Sequence, residues 1–106
     1  MKCLTLSASF LVIWIAVSCA QAQVVGDPLQ GRELAQQFCS ECHAVLRGEA
    51  HSPNTQAPTF ADLAATPGMT GTALLVALTT PHAGMPMFAL TAEQRENLIA
   101  YVLSFR

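Results

Sequence analysis

Charge is scarce in this chain. Only 11% of its 106 residues are Asp, Glu, Lys or Arg, and no lysine occurs beyond Lys2. The other bases, Arg32, Arg47, Arg95 and Arg106, stand far apart, and seven acids bring the net charge to −2. Without a basic run or patch, nucleic acid is not an expected partner. Tryptophan is absent after Trp14, and the aromatics beyond it are only Phe38, Phe60, Phe88, Tyr101 and Phe105. No segment alternates apolar and polar residues with period two, so strands are not expected. No apolar run reaches the roughly 20 residues of a membrane-spanning helix.

The one sustained apolar stretch, Leu4 to Val17, lies directly behind Met1 and Lys2 and ahead of Ala20-Gln21-Ala22. A positive start, an apolar centre and an A-x-A site make a cleavable export signal. We read residues 1–22 as that signal and residues 23–106 as one mature domain. A second reading lipidates Cys19 at Ala16-Val-Ser-Cys19, but the usual leucine three positions before the cysteine is missing. Either route leads out of the cytoplasm, in a bacterium to the periplasm. Cleavage removes Cys3 and Cys19. Only Cys39 and Cys42 then remain, which excludes a scaffold of several disulfides and leaves at most one bridge between these two.

Those two cysteines stand in Cys39-Ser-Glu-Cys42-His43. C-x-x-C-H is the attachment signature of c-type haem. Two thiols three positions apart can form thioethers with the two vinyl groups of one haem, and the adjacent imidazole can reach the iron. A zinc site would need four ligands. Cys39, Cys42, His51 and His82 could supply them, but the second pair lacks knuckle spacing. A thioredoxin-like motif would need a βαβ setting, which is absent. Chain length favours haem as well: so small a domain seldom buries enough apolar surface alone, and a flat covalent cofactor would complete a core thin in aromatics.

The helical signals are local. Asp27-Pro28 reads as an N-cap with proline at the first helical position, opening a helix through Leu29, Leu34, Ala35 and Phe38 up to the motif. Gly31 inside it costs up to about 1 kcal/mol, and close passage of another helix would justify it. Residues 44–57 read as turn and loop. Pro58 precedes a short helical stretch, Thr59 to Ala65, which it could open as the first helical residue and which Pro67-Gly68 ends. Thr70 or Thr72 could cap the next helix, whose Leu74, Leu75, Val76 and Leu78 make it apolar around most of its circumference, so burial is expected. Thr79 to Phe88 is a proline-punctuated loop. Thr91-Ala-Glu-Gln94 is a capping box for a last helix carrying Leu98, Tyr101, Val102 and Phe105 as one apolar stripe. The fold class is all-α, with about four helices.

With His43 as the proximal ligand, the Pro58 carbonyl is free to accept from its second ring nitrogen. Candidates for the opposite side of the iron are Met69, Met85, Met87, His51 and His82. Met69 stands at a helix start, where core packing is the simpler role, and His51 lies in a polar loop. Met85 and Met87 lie far enough from Cys42 in sequence to cross the other haem face. Pro86 between them allows only one to point at iron.

The chain resembles the class I cytochromes c, of the small bacterial monohaem kind. The resemblance rests on Gly31-Arg-Glu-Leu-Ala35, the Cys39–His43 motif, Ala57-Pro58-Thr-Phe60, Pro81-His-Ala-Gly-Met85-Pro86, Leu90-Thr-Ala-Glu93 and Tyr101-Val-Leu-Ser-Phe105, and covers the whole mature segment. It implies a small cytochrome c fold around one covalent haem, with the first and last helices crossing where Gly31 meets Tyr101. It also implies Met85, directly before Pro86, as the distal ligand, and the Pro58 carbonyl on the proximal His43. The sequence departs from the family at Ala35, where many relatives carry an aromatic that Phe38 would have to replace, and at Met87, an extra sulfur near the ligand.

The expected function is that of a periplasmic carrier of single electrons, not an enzyme. Its partners would be redox proteins such as a dehydrogenase, an oxidase or another cytochrome, met around Ser40 and the Gly84–Met87 loop. It would be a monomer unless docked in a complex. The alternatives are an electron-transfer subunit of a periplasmic dehydrogenase complex and a haem sensor in which a small gas displaces Met85.

Overall fold

The computed structural model describes residues 25–106, so residues 1–22, read above as an export signal, and Cys19 within them lie outside the described residues. Four helices follow in order: α1 (Pro28–Phe38), α2 (Phe60–Ala65), α3 (Gly71–Thr79) and α4 (Ala92–Leu103). Among the described residues there is no strand, only an isolated bridge between His82 and Met85. The all-α expectation holds.

Each helix begins where a side chain satisfies a free backbone N–H. Asp27 accepts from the Leu29 N–H at 2.8 Å, and Pro28 occupies the first turn of α1. Thr59 caps α2 through Asp62 at 3.0 Å, so Pro58 stands just outside that helix and does not open it. Thr70, not Thr72, caps α3. At α4 the capping box is reciprocal: the Gln94 N–H donates to the Thr91 hydroxyl at 3.1 Å, and the Thr91 N–H donates to Gln94 Oε1 at 2.9 Å.

The core forms around α4, whose residues Asn97 to Val102 are all buried. One stripe was expected there, but three helices pack against α4. α1 crosses it at Gly31, and α2 and α3 pack elsewhere on its surface. The crossing is tight: a methyl group on Gly31 would lie 1.9 Å from the Asn97 carbonyl oxygen and 2.7 Å from Tyr101 Cβ. Ala35 is fully buried. Asn97 adds polar stitching, accepting from the Asp27 N–H at 2.7 Å and donating to Gln30 Oε1 at 3.4 Å. Phe38 does not supply the aromatic missing at Ala35. Its ring sits 5.9 Å from that of Phe88, away from the crossing.

Phe105 falls beyond the end of α4, in the following turn, yet it joins the core. Its ring meets Tyr101 edge-on at 5.2 Å and Phe60 at 6.3 Å. Arg47 lies over its outer face, 4.6 Å from the ring centre, and donates to the Ser104 carbonyl and hydroxyl. Tyr101 donates its hydroxyl to the Val45 carbonyl at 2.6 Å inside the core.

The expected burial of α3 is overturned. Only Leu74 is buried, while Leu75 and Val76 are 41% and 54% exposed. This helix lies at the edge of the fold, so its circumference has one packed side against α4. Another of its faces, carrying Ala73, Leu74, Ala77 and Leu78, borders a cavity.

Two outcomes follow. Gly31→Ala sets a side chain against backbone that belongs to a packed helix, and should cost about 1–3 kcal/mol or more, read as a lowered Tm. Burial holds the Tyr101 hydroxyl above the ordinary tyrosine range, against the pull of Arg32 and Arg47. Its stabilising effect is therefore complete below about pH 10 and is lost as pH rises through the raised folded value. Tyr101→Phe, which orphans the Val45 carbonyl, should lower stability by about 1–3 kcal/mol at neutral pH. The Tm difference from the parent should shrink in strong alkali.

Candidate haem site

The C-x-x-C-H run begins where α1 ends. Cys39 is the C-cap of α1, and its N–H continues the helix by donating to Ala35. The chain then curls: the N–H groups of Cys42 and His43 both donate to the Cys39 carbonyl, at 3.2 and 2.9 Å. This tight turn puts both sulfurs and the imidazole on one cavity wall. Both thiols are free. Burial, and secondarily the neighbouring Cys42, push the Cys39 thiol up to about 11. A thiol so protonated is not the activated thiolate of a redox C-x-x-C pair.

The loop that follows returns to the motif. Asn54 donates its N–H to the Cys42 carbonyl at 3.1 Å, and the Ser52 hydroxyl accepts from the Ala44 N–H at 2.9 Å. Phe60 donates its N–H to the Ala44 carbonyl at 2.9 Å and sets its ring 5.8 Å from His43. These contacts bring the Pro58 carbonyl oxygen to 2.6 Å from His43 Nδ1. A carbonyl only accepts, so Nδ1 carries the proton and Nε2 keeps its lone pair, the state in which imidazole binds a metal.

Opposite the motif lies the loop between α3 and α4. His82 to Met85 form a turn in which the Met85 N–H faces the His82 carbonyl at 3.4 Å. Gly84 sits at the third position with φ +80°, a value that suits glycine there. The turn directs Met85 into the cavity wall, whereas Met87 lines neither cavity face and is half exposed.

Two adjoining cavities, of about 170 and 270 Å³, share Cys39, His43, Pro58, His82 and Met85 as walls. The larger is closed by Leu63, Leu74, Leu78, Leu98 and Val102, and the smaller by the Phe38–Phe88 pair. A slot with two thiols, one imidazole and one thioether on its rim and aliphatic walls within fits a flat apolar macrocycle carrying a central metal. The same residues do not fit zinc. Among the described residues no three of His, Cys, Asp and Glu converge to hold an ion, and His51 lines a separate surface hollow. Met69 borders the larger cavity while packing on the core.

Sequence reasoning missed the walls more than the rim. Ala73, Leu74, Ala77 and Leu78 follow helical spacing and could have been read as one face of α3. The Phe38–Phe88 pair joins residues 50 positions apart, with no local signal.

A helical fold wrapped around such a slot, with C-x-x-C-H at the end of its first helix, defines a c-type cytochrome. This class carries electrons on covalently bound haem c and exchanges them with redox proteins. The family model described as cytochrome C oxidase, cbb3-type, subunit III matches residues 26–102, and the chain belongs to that family. It is 33% identical over 96 residues to cytochrome c-552 of Bradyrhizobium diazoefficiens, across 91% of this chain and 90% of that protein. No solved structure matches it.

Phe60 packs against the His43 imidazole, Tyr101 and Phe105 at once. Phe60→Ala should cost about 3–5 kcal/mol, measured by thermal unfolding of the haem-loaded protein.

Proposed function

We propose that this chain is an exported, single-haem electron carrier with its iron held between His43 and Met85. Cys39 and Cys42 would form the two thioethers. The observation that carries this reading is that His43 and Met85 border one apolar slot that also takes in both cysteines, while Met87 faces away from it. When bound, the haem supplies an iron that accepts one electron and returns it.

The chain's own residues set the terms of that exchange. Pro58 keeps the His43 proton on Nδ1, which orients the ring and strengthens Nε2 as a donor. The Met85 thioether favours the ferrous state and raises the potential. The leucines and Val102 keep water from the slot, and the low polarity disfavours the extra positive charge of the ferric state. Each turnover takes one electron from a reduced partner and delivers one to an oxidised partner, with no bond made or broken in the protein. Ser40 and the residues from Gly84 to Met87 offer the surface for those contacts: Ser40 and most of that loop are exposed.

Export to the periplasm rests on the signal read in residues 1–22. Among the described residues no helix is long and apolar enough to cross a membrane. The family description, a subunit of an oxidase, favours a second reading: the same cytochrome docked as an electron-transfer subunit of a larger complex. Copurification with a larger redox enzyme from native membranes or periplasm separates the two.

The test is the absorption spectrum, oxidised and reduced, of protein exported from cells that attach haem c. A low-spin c-type spectrum with a weak ferric sulfur-to-iron band is expected, lost in Met85→Ala and kept in Met87→Ala. Loss in Met87→Ala alone would move the ligand, and absence of haem would refute the reading. Mass spectrometry should find one haem on the chain, and none bound covalently when Cys39 and Cys42 are both replaced by alanine.

A further inference from the structure

We propose that His82 is a second distal ligand, held beside Met85 and able to replace it on the iron. The proposal deepens the reading of Met85 as the distal ligand and rests on it. His82 Nε2 lies 3.2 Å from Met85 Sδ, and both residues line both parts of the slot.

The orientation of the ring decides what this contact is. His82 Nδ1 lies 3.1 Å from the Thr80 carbonyl oxygen. That oxygen can only accept, so in the neutral imidazole the proton is on Nδ1 and the Nε2 lone pair faces the sulfur. The contact is then not a hydrogen bond. It places two electron-pair donors side by side at one cavity wall, each able to bind the same metal position. The arrangement repeats the one at His43, where the Pro58 carbonyl holds Nδ1 and leaves Nε2 free. A backbone carbonyl that fixes the ring in this way is the usual support of a ligating histidine.

The turn explains why exchange between the two is a small movement. His82 and Met85 are the first and fourth residues of one glycine-containing turn, so both side chains leave the same short loop. The loop is tied to the fold at its ends, by the capped start of α4 and by the Thr80 N–H donating to the Val76 carbonyl. A rotation within it withdraws the sulfur and advances the nitrogen. In that exchange an iron–sulfur bond opens and an iron–nitrogen bond forms, and no electron is gained or lost. Imidazole favours the ferric state more than a thioether does, so the His82-bound form has the lower potential. His51 does not compete, because it lines a different surface hollow and neither part of the slot.

The experiment compares spectra and potentials of the haem-loaded parent, Met85→Ala, and Met85→Ala combined with His82→Gln. The expected Met85→Ala protein stays low-spin with two nitrogen ligands, lacks the sulfur-to-iron band and has a lower potential than the parent. The double variant becomes high-spin and binds carbon monoxide at once when reduced. Met85→Leu, which keeps the bulk of the side chain in the loop, should repeat the pattern if Met85→Ala fails to retain haem. A high-spin single variant, or a double variant that stays low-spin, would overturn the role of His82 and leave Met85 as the ligand. A sulfur band that survives in Met85→Ala would overturn both readings.

Discussion

The close passage of α1 over α4 is the constraint on which the rest depends. Gly31 lets the backbone of α1 come against the Asn97 carbonyl and the Cβ of Tyr101. No larger residue allows that approach, and with it the end of α1 is set in place. Because Cys39 caps α1, the same crossing fixes where the C-x-x-C-H turn starts. Asn97 and Asp27 add directional bonds to a contact that is otherwise a matter of shape.

From that fixed point the site is built by backbone groups more than by side chains. The Cys39 carbonyl receives two N–H groups and curls the motif. The Ala44 carbonyl receives Phe60 and turns the loop back, bringing the Pro58 carbonyl to His43. The protonated nitrogens of His43 and His82 each face a backbone carbonyl, so the opposite nitrogens of both rings are left as donors. Aromatic packing of Phe60, Tyr101 and Phe105 holds the proximal side. Across the slot, Met85 leaves an exposed glycine turn. The two faces of the slot thus differ in their surroundings: one is packed among aromatic rings, the other is an exposed loop.

Much of this was legible in the chain because the signals were short-ranged. The Asp27-Pro28 start, the Thr91–Gln94 box and the C-x-x-C-H spacing each involve residues within a few positions, and local hydrogen bonding decides them. Gly31 was legible as an anomaly, since a glycine inside a helix needs a reason. The errors arose where the partner was distant. An all-round apolar α3 reads as buried, yet it lies at the edge of the fold, with one side on α4 and another on the cavity. Phe38 reads as a replacement aromatic for the crossing, yet it turns to Phe88. The stripe on α4 was too narrow because three helices pack against it, a fact of tertiary arrangement that periodicity does not encode.

The sequence by itself determined the helical class, the helix starts, the covalent attachment motif and the shortlist of sulfur and nitrogen ligands. Those properties reside in residue type and spacing, which chain connectivity preserves. Only the tertiary structure decided that Met85 faces the slot and Met87 does not. It also decided that Pro58 reaches His43 and that His82 stands beside the Met85 sulfur. These depend on the direction in which a side chain leaves a turn and on which segments close against it. Such directions follow from the packing of the helices that anchor both ends of the loop.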